Sequence, residues 1–314
     1  MGSYLVKRLV ALIPVLLVVG VVVFTLVHLA PGDPAAIILG PDADPADVSR
    51  LRSQMGLDQP LPRQFLNWTR RALTGDLGES VFLRKPVTSA LAERLGPTLS
   101  LALLAEAIAL LIAIPAGVLA AWRRGRWPDY LVMVFTLLGI SMPSFWLGLN
   151  AIMLFAVKWQ LLPVAGYTPL TQSVVKWLRY LALPASTLGM IHAGLIARMV
   201  RTAMLDVIKE DFVRTARAKG LSQFAILLKH VLRNALVPVV TVLGMSIGLL
   251  VGGSIVVETV FTIPGIGQLI INSVQRRDYP LIQGAVLLVA LVYVLVNLMV
   301  DLTYGVLDPR IRYQ

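Results

Sequence analysis

Long apolar runs separated by short polar breaks dominate this chain. A helix needs about 20 apolar residues to cross the hydrocarbon core of a bilayer. Six stretches reach that length: 9–29, 99–121, 130–157, 181–199, 235–257 and 281–304. The fourth is the least apolar, because Pro184, Ser186, Thr187 and His192 interrupt it. The pattern predicts six membrane helices. The first run is too long for the apolar part of a cleaved signal peptide, and no small-x-small cleavage site follows it, so it reads as a span.

Two polar interruptions are long enough to have structure of their own. In residues 30–98, "DADPADVSRLRSQMGL" offers Asp44 as an N-cap, Pro45 at the first helical position and Gly56 as a stop. "LPRQFLNWTRRALTG" repeats the design, with Leu61, Phe65, Leu66 and Trp68 partly on one face and Gly75 ending it. Two or three short helices are expected there. In residues 200–233, Phe212, Ala216, Gly220 and Phe224 recur every four residues, near one helical face, while Arg214 and Arg217 lie on another. Gly220 is a natural stop and Ser222 a natural cap for the next helix. The reading is helix, glycine turn, helix, the second running into the fifth span, where Pro238 is expected to kink it. Such a projecting pair either lies on lipid headgroups or docks in a groove of a partner. Ala216 and Gly220 leave the apolar face thin, which favours close approach by a protein.

Composition agrees with the pattern. Hydrophobic residues make up 57% of the 314 and charged ones only 14%, with a mean hydropathy of +0.78. That leaves too little polar surface for a water-soluble globule, so the chain reads as an all-α integral membrane protein. The net charge of +11 would suggest nucleic acid in a soluble protein. In a membrane protein it is the enrichment of Lys and Arg in cytoplasmic loops, and no nucleic-acid partner is expected. With the N-terminus inside, the inner side holds Lys7, Arg8, Arg123, Arg124, Arg126, the cations between Arg198 and Arg233, and Arg310 and Arg312. The short outer loops hold only Lys158, Lys176, Arg179, Arg276 and Arg277. Both termini are therefore expected in the cytoplasm, and 30–98 outside. There are no cysteines, and His28, His192 and His230 make no metal-ligand spacing.

The sequence resembles the inner-membrane permeases of ATP-binding-cassette importers, which carry a cytoplasmic Glu-Ala-Ala loop. Gly220 occupies the loop's glycine position, Ala216 its second alanine and Pro238 its terminal proline. Arg214 and Thr215 depart from it, and the spacing to the proline is longer. "RTARAKGLS" with "LRNALVPVV" is similar to the dipeptide, oligopeptide and nickel branch, as are "VETVFTIPGIGQL" and "GISMPSFW"; "LVHLAPGDPA" favours its B-type member.

The resemblance implies a type I importer fold with six spans, divided into 1–29, an extracytoplasmic segment 30–98, and a core 99–314 whose coupling loop is about 200–233. It further implies a path for short peptides shared with a second, homologous permease and fed by an extracytoplasmic binding protein. Two ATPase subunits or domains would seat on the coupling helix through Phe212, Arg214, Ala216, Arg217, Lys219, Gly220 and Leu221. No GxxxxGK[ST] phosphate loop occurs here, so ATP and Mg belong on those partners, and this chain is expected to have no cofactor, metal or catalytic residue of its own.

Within the spans, Glu106 is a costly intramembrane carboxylate, which marks either a path residue or an interhelical hydrogen bond. His192 poses the same choice, and Asn150 and Asn297 read as interhelical donors. Gly244, Gly248 and Gly252 recur every four residues and would let helices approach closely. The family's fifth span lines the path, which makes Met245, Ser246, Leu249 and Gly253 gate candidates. Glu258, Phe261, Pro264 and Gly265 would sit at the outer mouth, followed by a short interfacial helix. A self-sufficient secondary transporter would need a relay of intramembrane charges and repeats, and an intramembrane hydrolase a nucleophile motif; neither is present.

Overall fold

The computed structural model describes residues 2–29, 33–40, 43–54 and 56–307. They form helices joined mostly by short turns, with one longer irregular segment, 159–173, and one two-residue-per-strand hairpin. The chain divides into two compact units: Met1–Leu95 with Leu269–Val294, and Gly96–Gln268 with Leu295–Tyr313.

The first unit begins with α1 (Gly2–Leu29), α2 (Pro34–Leu39), α3 (Pro45–Gln54) and α4 (Leu61–Leu73). α3 starts as the sequence predicts: Asp44 accepts from the Ala46 N–H at 2.9 Å, and Gly56 follows with φ +68°. α4 packs on α1 through Phe65 and Trp68, whose rings lie 5.4 and 6.0 Å from that of Phe24. Leu61 and Leu66, expected on the same face, are exposed instead. The periodicity missed α2 and also the hairpin of β1 (Glu79–Ser80) and β2 (Lys85–Pro86). Buried Asp278 anchors this hairpin, accepting from Ser80 Oγ at 2.5 Å and from the Phe82 N–H at 3.1 Å.

The second unit holds most of the membrane domain. α5 (Val87–Trp122), α8 (Val174–Val207) and α14 (Tyr279–Leu307) are single long helices. The expected third span is broken. α6 (Trp127–Ser141) and α7 (Ser144–Ala151), which continues as a π-helical stretch Ile152–Lys158, bend by 101° from one another. Pro143 is the reason: it has no N–H to give the ladder, and it forces Met142 into an extended conformation, ψ 127°. The fifth span is α10 (Gln223–Ala225), a π-helical stretch Ile226–Leu232, and α11 (Arg233–Gly253), followed by α12 (Ile255–Val260) and α13 (Ile266–Gln275). α11 runs through Pro238 uninterrupted. The irregularity lies one turn earlier, where the widened π ladder and Asn234 Nδ2, donating to the His230 carbonyl at 2.7 Å, satisfy displaced backbone groups.

Among the described residues, four helices are long and apolar enough to cross a membrane, five if the bent pair counts as one broken span; α1 contributes a shorter apolar stretch, Ile13–Thr25. α8 explains its own weak hydropathy. In its most apolar window 61% of residues are buried by the rest of the chain, against 39%, 28% and 22% for α5, the fifth span and α14. It is the helix least presented to lipid, so it need not be the oiliest. Its small residues admit neighbours: a Cβ on Gly189 would lie 2.8 Å from the Ala105 carbonyl of α5, and one on Gly194 3.1 Å from Thr136 of α6.

Candidate functional site

The loop after α8 is built as the spacing predicts. α9 (Asp211–Ala218) ends at Gly220, whose φ of +76° only glycine adopts without strain, and Ser222 Oγ accepts from the Ala225 N–H at 3.3 Å to start α10. The faces differ from the expected ones. Val213 and Ala216 turn inward, 0% and 7% exposed, in one cluster with Ile226, Leu227 and Val231. Small Ala216 thus sets how closely α9 lies on the following helix of its own chain. The outward surface carries Phe212, Leu221 and Phe224, which are 43%, 43% and 64% exposed, together with Arg214, Arg217 and Lys219. Three large exposed apolar side chains thus fall within 13 residues of a loop whose exposed remainder is mostly polar.

Three residues named separately from the sequence meet inside the spans. Ser246 Oγ of α11 donates to Glu106 Oε2 of α5 at 2.9 Å, and His192 Nδ1 of α8 lies 2.8 Å from the same Oγ. Glu106 and Ser246 are buried, and among the described residues Glu106 Oε1 meets no hydrogen-bond partner. One hydroxyl therefore ties three helices together. Met245, the adjacent gate candidate, points away and is exposed. The surroundings of Leu249 and Gly253 lie outside the described residues. Of the expected glycine stripe, Gly244 makes a close approach, to Val300 of α14, whereas a Cβ on Gly252 would meet nothing within 4 Å.

Glu258 is fully buried rather than open to solvent. Its carboxylate accepts from Thr98 Oγ1 at 2.7 Å, Ser254 Oγ at 3.0 Å and the Gln268 N–H at 3.0 Å. Thr98 in turn accepts from the Ile266 N–H at 2.8 Å. The loop "TIPGIGQ" is thus wrapped around one carboxylate, and Phe261 is buried beside it while Pro264 is half-buried. Gly265 is required by closeness: a Cβ there would lie 2.3 Å from the Glu258 carboxyl carbon.

Sequence reasoning missed one further device. Asp129, at the start of α6, accepts from Arg201 of α8 through both oxygens, at 2.5 and 2.8 Å, and from the Gly125 N–H at 2.9 Å. In the sequence Arg201 is only one of the inward cations between Arg198 and Arg233. The signal was the acid itself, alone amid "WRRGRWPDY". Among the described residues no group of three or more His, Asp or Glu is placed to hold a metal.

Residues 113–313 match the family described as binding-protein-dependent transport system inner membrane component, and residues 1–102 match its N-terminal companion. The chain belongs to this family. It is therefore a non-catalytic membrane permease component, with no cofactor of its own. It is 46% identical, over the full length of both chains, to the "Probable peptide ABC transporter permease protein y4tP" of Sinorhizobium fredii. It is equally identical, again over both full lengths, to the "Glutathione transport system permease protein GsiC" of Escherichia coli K12. Among solved structures, an inward-facing form of the MetNI methionine ABC transporter superposes with a TM-score of 0.56 at 24% identity, covering 70% of this chain and 96% of that one. That likeness shows the fold, the type I importer permease fold.

Proposed function

We propose that this permease forms, with a homologous second permease, the path by which short peptides enter the cell, delivered by an extracytoplasmic binding protein and driven by two ATPase subunits that carry ATP and Mg. Both termini and residues 200–233 face the cytoplasm, and 30–98 faces outward; the excess of Lys and Arg on the first side supports that orientation. Arg310 and Arg312, counted toward it, lie outside the described residues. Peptides are the favoured solute because relatives named for peptide and glutathione transport match over their full lengths.

The observation that carries the mechanism is the exposed apolar and cationic face of α9 and its turn, joined without a flexible linker to the fifth span. Phe212 and Leu221 anchor in a cleft of the ATPase, and Arg214, Arg217 and Lys219 surround them. Gly220 sets the turn, and Ala216 fixes α9 to the helix that must move. Closure of the ATPases on ATP then shifts α9, the π-helical stretch and α11 as one lever. Met245, Ser246, Leu249 and Gly253 on α11, with Glu106 and His192 opposite, line or gate the path. Breaking the Ser246 tie between α5, α8 and α11 frees these helices to part. Glu258, Phe261, Pro264 and Gly265 fix the outer end of the lever.

The test is ATP-dependent uptake of a labelled dipeptide by the reconstituted permease pair, ATPases and binding protein. A Gly220→Trp variant forces a side chain into left-handed backbone, which costs about 1–2 kcal/mol and shifts the loop population about tenfold. Uptake is expected to fall at least that far while the protein still reaches the membrane. Undiminished ATP-coupled uptake would remove the docking assignment.

A further inference from the structure

At the foot of the coupling loop, a recess of about 250 Å³ opens between four elements of the second unit. Arg124 follows the end of α5, Lys209 follows α8, and Arg217 lies on α9; all three line it, with Trp122 and Gln223. No Asp or Glu contributes to the lining. Among the described residues neither Arg124 nor Arg217 forms an ion pair, and Lys209 has only a loose exposed contact with Asp206 at 3.6 Å. Asp129 nearby is already held by Arg201 and the Gly125 N–H. Three cations from three separate elements therefore converge on one small cavity whose lining carries no acid; from outside it Asp206 approaches Lys209 and Asp129 attracts Arg124, but Asp129 is already engaged by Arg201.

The place of the recess suggests what balances them. α5 ends its apolar run here, at Ala121, while α8 has already passed the end of its own near residue 199, so the recess lies on the polar side of a membrane–water boundary. Trp122 is half exposed at the end of α5, with the Arg123 guanidinium stacked 4.9 Å from its ring, the usual arrangement of an interfacial anchor. Basic pockets between membrane helices on the cytoplasmic side suit lipid phosphates, and each Lys or Arg near an anionic surface adds about 1 kcal/mol of attraction.

We infer that this recess binds the phosphate of an anionic phospholipid and thereby braces the coupling loop against α5 and α8. The inference rests on the cytoplasmic placement of the loop proposed above. The phosphate occupies the space between Arg124, Lys209 and Arg217, and its acyl chains lie along the exposed side of Trp122. Because Arg217 sits on α9 and the other two cations on the ends of spans, occupancy ties the docking helix to the membrane domain and makes coupling depend on lipid charge.

Native mass spectrometry of the assembled transporter, titrated with phosphatidylglycerol or with phosphatidylcholine, tests this directly. The wild type is expected to retain phosphatidylglycerol about tenfold more strongly than phosphatidylcholine. An Arg124→Gln/Lys209→Gln variant should lose that preference, and Arg124→Lys/Lys209→Arg should keep it. Equal retention of both lipids by wild type, or an unchanged preference in the Gln variant, would overturn the inference. Displacement of the lipid by millimolar inorganic phosphate would also overturn it, marking a site for a free anion. If the Gln variant keeps its lipid preference but loses the ATPases on copurification, the recess belongs to the ATPase contact and the lipid site falls. Lipid retention is read without ATP turnover, so failure of the Gly220→Trp test would count against the docking reading alone.

Discussion

At Gly265 the backbone lies against the Glu258 carboxylate so closely that one added methyl group has no room. Gly252, thirteen residues earlier, has open space around it. The two glycines therefore make a matched pair of substitutions. Gly265→Ala must push apart a carboxylate that holds three donors, and overpacking of this kind costs about 1–3 kcal/mol. Gly252→Ala should leave the stability of the isolated chain unchanged, or raise it slightly by favouring helix. Thermal unfolding of the two variants in detergent checks this; equal melting temperatures would mean that the Glu258 knot is looser than described. The sequence singled out Glu258 and Gly265 as residues of the outer mouth, but not that the carboxylate is buried there. A carboxylate at a helix end reads as exposed unless its donors are known, and one of the three, Thr98, is 160 residues away. Glu106 and His192 stand out in the sequence as polar groups in apolar runs, and Ser246 through the resemblance of the fifth span. Their meeting at one hydroxyl was not legible, because the register between helices is decided by packing.

Among the elements, α8 was the hardest to read and is the most informative. Its proline, Pro184, and its small and polar side chains weaken the hydropathy signal, which it can spare because it is packed on several sides. α5, α6 and α11 all lean on it, through glycines, the Ser246 tie and the Asp129–Arg201 pair. That pair is mostly shielded, with the Asp129 side chain 5% exposed. Removing one member strands the other, a loss of about 3 kcal/mol or more. Arg201→Ala should therefore melt well below wild type, and Asp129→Ala/Arg201→Ala should recover part of the loss. A double variant no better than the single would mean that the pair is solvated and of little consequence. The third span illustrates the opposite difficulty. Its apolar run is continuous in sequence, and only the extended residue imposed before Pro143 reveals that the run is two helices. In the loop of α9 and α10, by contrast, the glycine, the cap and both helices were all legible, because local backbone rules decide them. Which side of α9 faces inward was not, since Ala216 serves either reading.

For the whole molecule, membrane residence and all-helical architecture follow from composition and run length alone, while the family follows from motifs spread over the chain. Neither reveals a partner's footprint. The fifth span and α14 are buried over only a small part of their most apolar windows, so most of their surface is available to lipid or to a second permease. The coupling loop adds the exposed Phe212, Leu221 and Phe224 on the side assigned to the cytoplasm. The central claim is that this face is where ATPase closure enters the permease. The chain has no cysteine, so single cysteines at Leu221 and Phe224 can be cross-linked to single cysteines along the ATPase surface in the assembled, ATP-hydrolysing transporter, with the buried Val213 as control. The account predicts strong cross-links from Leu221→Cys and Phe224→Cys and none from Val213→Cys. An active complex in which neither exposed position reaches the ATPase would contradict it.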